Sequence, residues 1–154
     1  TLKGTHIIFT MPNADPNNRI IGRLIKKFIN ENSNSKSYTS LGSLRYLSCI
    51  KYVDGVVGNS SSGISEVPSF KKGTIDIGNR QEGRVKAESI ISCEPKKSSI
   101  LHAIKKLYSE SFKNKLISVK NPYGDGGSSN KIVEILEDIS LKNLSKKKFY
   151  DLKM

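Results

Sequence analysis

A valine-rich run, Val53 to Val57, ends at Gly58 and Asn59 and opens straight onto Ser60, Ser61, Ser62 and Gly63. A short run of this kind bounded by glycine reads as a parallel strand buried on both faces. Ile64, Val67 and Phe70 then recur at three-residue spacing, which predicts a helix opening within the serine run, and Pro68 keeps it brief. A buried strand that feeds a small-residue turn and a helix confines the chain to layered α/β architectures.

The same segment has the chemistry of an anion cradle. A helix start leaves backbone N–H groups unpaired and carries about half a unit of positive charge, so a phosphate there gains hydrogen bonds without a lysine. The serine hydroxyls add donors. Glu66, one turn on, is placed to be favoured by the helix dipole and to accept from both hydroxyls of a ribose. Arg80 and Arg84 follow the next expected strand, Thr74 to Ile77, at the C-terminal edge where open α/β sheets gather their ligands. Serines alone would more simply be helix caps. Serines, carboxylate and arginines in this order favour a nucleotide diphosphate.

The rest of the chain alternates strand and helix. His6 to Met11 is a strand with its core at Ile7 to Phe9. Arg19 to Asn30 carries Ile20, Ile21, Leu24, Ile25, Phe28 and Ile29 on one helical stripe. Lys36 to Ser40 is a short strand, and Leu44, Leu47 and Ile50 mark a helix. Ser89 to Ser92 is a strand, and Ser98 or Ser99 caps a helix through Ile100, Leu101, Ile104, Leu107 and Tyr108. Asn121 to Ser129 is a glycine-rich loop placed to close on the nucleotide side, before a helix from Asn130 to Ile139.

Five blocks carry a family resemblance: TMPNAD at Thr10 to Asp15, LGSLRYLSCIKYVDGVVGNSSSGISEVPSF at Leu41 to Phe70, IGNRQEGR at Ile77 to Arg84, AES at Ala87 to Ser89, and NPYGDG at Asn121 to Gly126. Occurring in this order and at these separations, they resemble the C-terminal part of the hydrolysing UDP-N-acetylglucosamine 2-epimerases of sialic and related nonulosonic acid synthesis. The resemblance implies a Rossmann-like, doubly wound parallel sheet of four or five strands, the C-terminal domain of a GT-B-type two-domain enzyme. It implies conversion of UDP-GlcNAc and water to N-acetylmannosamine and UDP, by elimination of UDP and hydration of the glycal. The substrate-binding positions it implies are Ser60 and Ser61, with Gly63, at the diphosphate, Glu66 at the ribose, Arg80 at the phosphate, Asn13 in the same pocket, and Leu41 offering main-chain groups to uracil.

The pattern also departs from the family. Lys71 and Gly73 stand where glycine and proline are usual, and Asp76 and Asn79 where asparagine and aspartate are common. The family's THPxT-like strand with its catalytic histidine does not occur, so the domain is expected to lack its first strand and helix. No catalytic residue is assigned, and His6 and His102 read as structural or solvated. In the usual order the first strand is central, so its neighbours should lose a partner and expose apolar faces. The expected partners are therefore a UDP-sugar and either an N-terminal domain or another chain, with a homo-oligomer left open. The domain reading is 1–139 for a partial UDP-binding unit and 140–154 for a basic tail, in which Leu141, Leu144, Phe149 and Leu152 could anchor.

A length of 154 residues with 36% hydrophobic content suits one hydrophobic core. The apolar runs are far shorter than a membrane span. Cys49 and Cys93 are too few and too distant for a disulfide framework or a metal site, which fits a reducing cytoplasm, and neither a cofactor nor a metal is implied. The net charge of +12 raises a nucleic-acid-binding alternative. It ranks low, because the lysines are scattered as pairs and only 7% of residues are aromatic, with no stacking motif among them. Another GT-B nucleotide-sugar enzyme, a glycosyltransferase, ranks between the two.

Overall fold

The structure, a computed structural model, describes residues 4–12, 18–140 and 142. In chain order the elements are β1 (Ile7–Thr10), α1 (Asn18–Glu31), β2 (Ser35–Tyr38), α2 (Gly42–Tyr52), β3 (Gly55–Gly58), α3 (Ser62–Ser65), a 3-10 turn (Val67–Phe70), β4 (Gly73–Ile77), β5 (Ile90–Cys93), α4 (Lys97–Leu107), α5 (Glu110–Ser118) and α6 (Ser128–Asp138). All strand pairings are parallel. This is the expected Rossmann-like α/β alternation.

The strands form two sheets, β1-β2 and β3-β4-β5, so β1 and β3 each have one partner among the described residues. Both strands expose an apolar side chain: Ile8 of β1 is 47% exposed and Val57 of β3 is 53% exposed. Burial of the valine run on both faces is thus corrected. The strand also starts later than expected, because Val53 is the residue that caps α2.

β4 is the buried strand, with Gly73 to Asp76 all inaccessible. Side chains alternate across it. Gly73 and Ile75 face Leu107 of α4 and Phe112 of α5, in a core completed by Ala87, Ile91, Ala103, Leu116 and Val119. Thr74 faces the other way, against Gly63 of α3. The missing side chains of Gly63 and Gly73 let α3 and α4 approach the two faces of this strand.

Several local expectations change. Helix α4 is capped at Lys96 with no side-chain hydrogen bond, so neither Ser98 nor Ser99 is its cap. A separate helix, α5, follows, and Ser109 caps it by accepting from the Phe112 N–H. In α1 the apolar stripe is wider than its contact: Ile25 is buried, whereas Ile20, Ile21 and Leu24 are exposed. Lys71 takes a left-handed φ of 56°, the conformation a glycine adopts without strain, and its ammonium donates to the Val119 carbonyl. The tail anchors named from sequence lie outside the described residues.

Candidate functional site

β3 and β4 are adjacent and parallel, with Gly58 opposite Asp76, so the turns that follow them leave the same sheet edge side by side. One carries Asn59 to Ser62 and the other Gly78 to Arg84. Ser60, Ser61, Arg80 and Arg84 are all exposed there, and Gly63 is buried beneath them against Thr74. The Thr74 hydroxyl donates to the Gly63 carbonyl at 2.7 Å, which fixes α3 to β4.

α3 has only four residues, Ser62 to Ser65, so its aligned dipoles are few. A helix this short contributes little macrodipole, so the donors that matter at this turn are its individual N–H and O–H groups. The Gly63 N–H is taken by the Ser60 carbonyl at 3.1 Å and the Ile64 N–H by the Ser61 carbonyl at 3.0 Å. The N–H groups of Ser61 and Ser62 meet no acceptor among the described residues. Glu66 is exposed at the C-terminal end of α3, not in its first turn. The expected dipole stabilisation of its carboxylate is therefore corrected, while an exposed carboxylate remains available to hydroxyl donors.

Four hydrogen bonds tie other elements to this edge. Ser62 Oγ donates to the Tyr46 hydroxyl at 2.6 Å, joining α2 to the serine turn. Burial raises the Tyr46 pKa above its ordinary value; the Ser62 hydrogen bond pulls against this and the Glu66 charge adds to it. Asn121 Nδ2 donates to the Ser65 carbonyl at 2.8 Å and to Ser69 Oγ at 2.7 Å, and the Tyr123 hydroxyl donates to the Val85 carbonyl at 3.0 Å. The glycine-rich loop therefore packs on α3 and on the arginine segment.

Asp76 is almost fully buried and finds its partner in Lys86, whose Nζ is 2.9 Å from Asp76 Oδ2 and 2.9 Å from Ser92 Oγ. Ser60, Ser61 and Gly63 lie in and just after the turn that follows β3, Glu66 closes α3, and Arg80 lies in the turn after β4, next to the Gln81 that donates to the Asn59 carbonyl. Leu41 precedes α2, whose Tyr46 reaches the serine turn. Asn13 lies outside the described residues. Sequence reasoning missed Tyr46, Gln81 and Lys86; for Tyr46 the signal was its four-residue spacing from the buried Ile50, which puts both on the inward face of α2.

Two cavities lie elsewhere. One, bounded by Asp54, Lys71, Lys72, Leu107 and Tyr108, is at the N-terminal ends of β3 and β4, opposite the serine turn. The other follows β1 and is rimmed by Arg19, Arg23 and Lys26. Among the described residues there is no cluster suited to a metal ion and no helix long and apolar enough to cross a membrane.

The chain is 42% identical over 154 residues to the GDP/UDP-N,N'-diacetylbacillosamine 2-epimerase (hydrolysing) of Campylobacter jejuni, covering 99% of this chain and 40% of that protein. It is 41% identical over 152 residues to the polysialic acid biosynthesis protein P7 of Escherichia coli, covering 97% of this chain and 39% of that protein. The chain thus spans about two fifths of the length of these relatives. A crystal structure of the Methanocaldococcus jannaschii UDP-GlcNAc 2-epimerase with UDP-GlcNAc and UDP superposes with a TM-score of 0.64 at 21% identity, over 86% of this chain and 36% of that one. The Neisseria meningitidis UDP-GlcNAc 2-epimerase bound to UDP-GlcNAc gives the same TM-score, 0.64, at 20% identity, over 86% of this chain and 36% of that one. These two likenesses establish the fold. With the family profile described as UDP-N-acetylglucosamine 2-epimerase matching residues 1–137, the chain belongs to the UDP-N-acetylglucosamine 2-epimerase family.

Proposed function

We propose that this chain is the UDP-holding part of a hydrolysing UDP-N-acetylglucosamine 2-epimerase, working with a second, N-terminal nucleotide-sugar domain that supplies the acid and base groups. The reaction is UDP-GlcNAc plus water to N-acetylmannosamine plus UDP, in sialic or related nonulosonic acid synthesis. The observation that carries this reading is the pairing of the serine turn, with the Ser61 and Ser62 amides open, and the Arg80 turn on adjacent strand ends.

Ser60 and Ser61 meet the diphosphate, Arg80 a phosphate oxygen, Glu66 the ribose hydroxyls, and the main chain at Leu41 the uracil. As the C1–O bond of the sugar breaks, negative charge builds on UDP. Preorganised donors aimed at that charge lower the barrier, and losing one costs roughly 100- to 1000-fold in rate. The name of the Campylobacter relative, which prints GDP as well as UDP, supports a nucleoside-diphosphate-activated N-acetylated amino sugar as the substrate class, with a diacetamido sugar as one member of it.

Calorimetric titration with UDP tests the reading. Wild-type chain should bind, and Glu66→Ala should weaken binding about tenfold, equivalent to roughly 1.4 kcal/mol. Absence of wild-type binding would overturn the assignment, and equal affinities would remove Glu66 from the ribose.

A further inference from the structure

Gln81 is 3% exposed, although its neighbours Arg80, Glu82, Gly83 and Arg84 are all exposed. A turn closed by the Glu82 N–H donating to the Asn79 carbonyl at 2.9 Å puts Arg80 and Gln81 at its two central positions. One of these side chains points to solvent and the other into the protein. Gln81 Nε2 donates at 2.7 Å to the carbonyl of Asn59, the residue before Ser60. Gln81 Oε1 is also buried and has no donor among the described residues.

A primary amide buried with its carbonyl oxygen unpaired is a cost to stability, since an apolar side chain of that size would carry no such penalty. The Asn59 carbonyl gives the bond its meaning. In a closed turn the N–H three residues on, that of Ser62, would donate to this carbonyl. Here Gln81 donates to it, and the Ser62 N–H has no acceptor among the described residues.

We propose that Gln81 is a positioning residue: its amide locks the arginine turn to the serine turn, which sets Arg80 beside the Ser61 and Ser62 N–H groups and keeps the Ser62 N–H open to an anionic oxygen. This rests on the UDP reading for its ligand, but its geometry can be tested without one.

The test uses the full chain as wild type, Gln81→Glu and Gln81→Met. UDP affinity is measured at pH 8 and pH 5, urea denaturation runs in parallel, and hydrogen exchange at the Ser62 amide is followed without ligand. Gln81→Glu should bind UDP at least tenfold more weakly than wild type at pH 8. At pH 5 it should return to within about threefold of wild type, because a buried carboxyl protonates readily and can then donate to Asn59. Gln81→Met, of similar size and without a donor, should stay weak at both pH values, and exchange at its Ser62 amide should slow as the turn closes. Wild-type binding with folded variants that match it at both pH values would overturn the proposal. If wild type does not bind UDP, the UDP reading fails, and the exchange rate alone decides: slowing in Gln81→Met supports the lock, and an unchanged rate overturns it. A folded Gln81→Glu that loses affinity equally at both pH values would also count against it.

Discussion

Lys86 Nζ lies 2.9 Å from the buried Asp76 Oδ2, and this pair joins the segment after the arginine turn to the end of β4. The Asp76 side chain is 2% exposed and that of Lys86 28%. Truncating the lysine strands a carboxylate in the sheet. Removing one partner of a fully buried pair costs about 3–5 kcal/mol, and the partial exposure of Lys86 reduces this to roughly 2–3 kcal/mol for Lys86→Met. Asp76→Asn in the Lys86→Met background should recover most of the loss. A urea denaturation series measures both, and a Lys86→Met change below about 0.5 kcal/mol would contradict the pairing.

Cys93 provides a pH readout of the same carboxylate. Burial, with a further push from the Asp76 charge, raises its thiol pKa. Both effects favour the protonated thiol, so alkylation should need a higher pH than an ordinary thiol does, because only the thiolate reacts. Asp76→Asn removes the charge and leaves the burial. The midpoint of the rate-against-pH curve at Cys93, followed by mass spectrometry, should move part of the way down. No movement would show that the carboxylate does not reach the thiol.

Gly63 is where the site meets the core. A Cβ there would stand 2.8 Å from Thr74 Cγ2 and push α3 off β4. Gly63→Ala should cost about 1–3 kcal/mol, the usual range for overpacking. Thr74→Ser removes the clashing methyl and keeps the hydroxyl that donates to the Gly63 carbonyl. The double variant should therefore be more stable than the two single losses added together, by at least about 0.5 kcal/mol. Strict additivity would mean that the helix does not rest on this contact.

The divided sheet predicts low stability. Among the described residues β1 and β3 each present an unpaired edge, and α6 exposes Ile132, Val133, Ile135 and Leu136. A 154-residue chain with this much uncovered apolar surface should melt low and broadly, or self-associate. Differential scanning calorimetry with light scattering checks it. A cooperative melt well above ordinary mesophilic temperatures in a monodisperse monomer would contradict it.

The legible and hidden parts of the site divide along physical lines. Ser60 to Gly63, Pro68 and the strand after them were readable, because turn chemistry and helix stops act over a few residues. The contact between Gln81 and Asn59 spans 22 residues, and nothing local distinguishes a buried glutamine in RQEGR from a solvated one. Lys86 likewise looks like any surface lysine until β5 brings Ser92 beside it. Helix α5 was missed although Ser109, Phe112 and Leu116 carry a cap and an inward stripe, because the preceding helix pattern runs into it without a proline or glycine. The burial expected of the valine run failed because burial depends on what covers a strand, and nothing covers Val57 in the described residues.

The most direct test of the central claim is an amide and guanidinium NMR titration of the chain with UDP, with uridine as the comparison. The account predicts that UDP shifts the Ser61 and Ser62 amides and the Arg80 Nε–H together, saturating at one affinity, and that uridine leaves those signals in place. Dominant UDP shifts at the basic cavity of Arg19, Arg23 and Lys26, with Ser61, Ser62 and Arg80 unmoved, would contradict it.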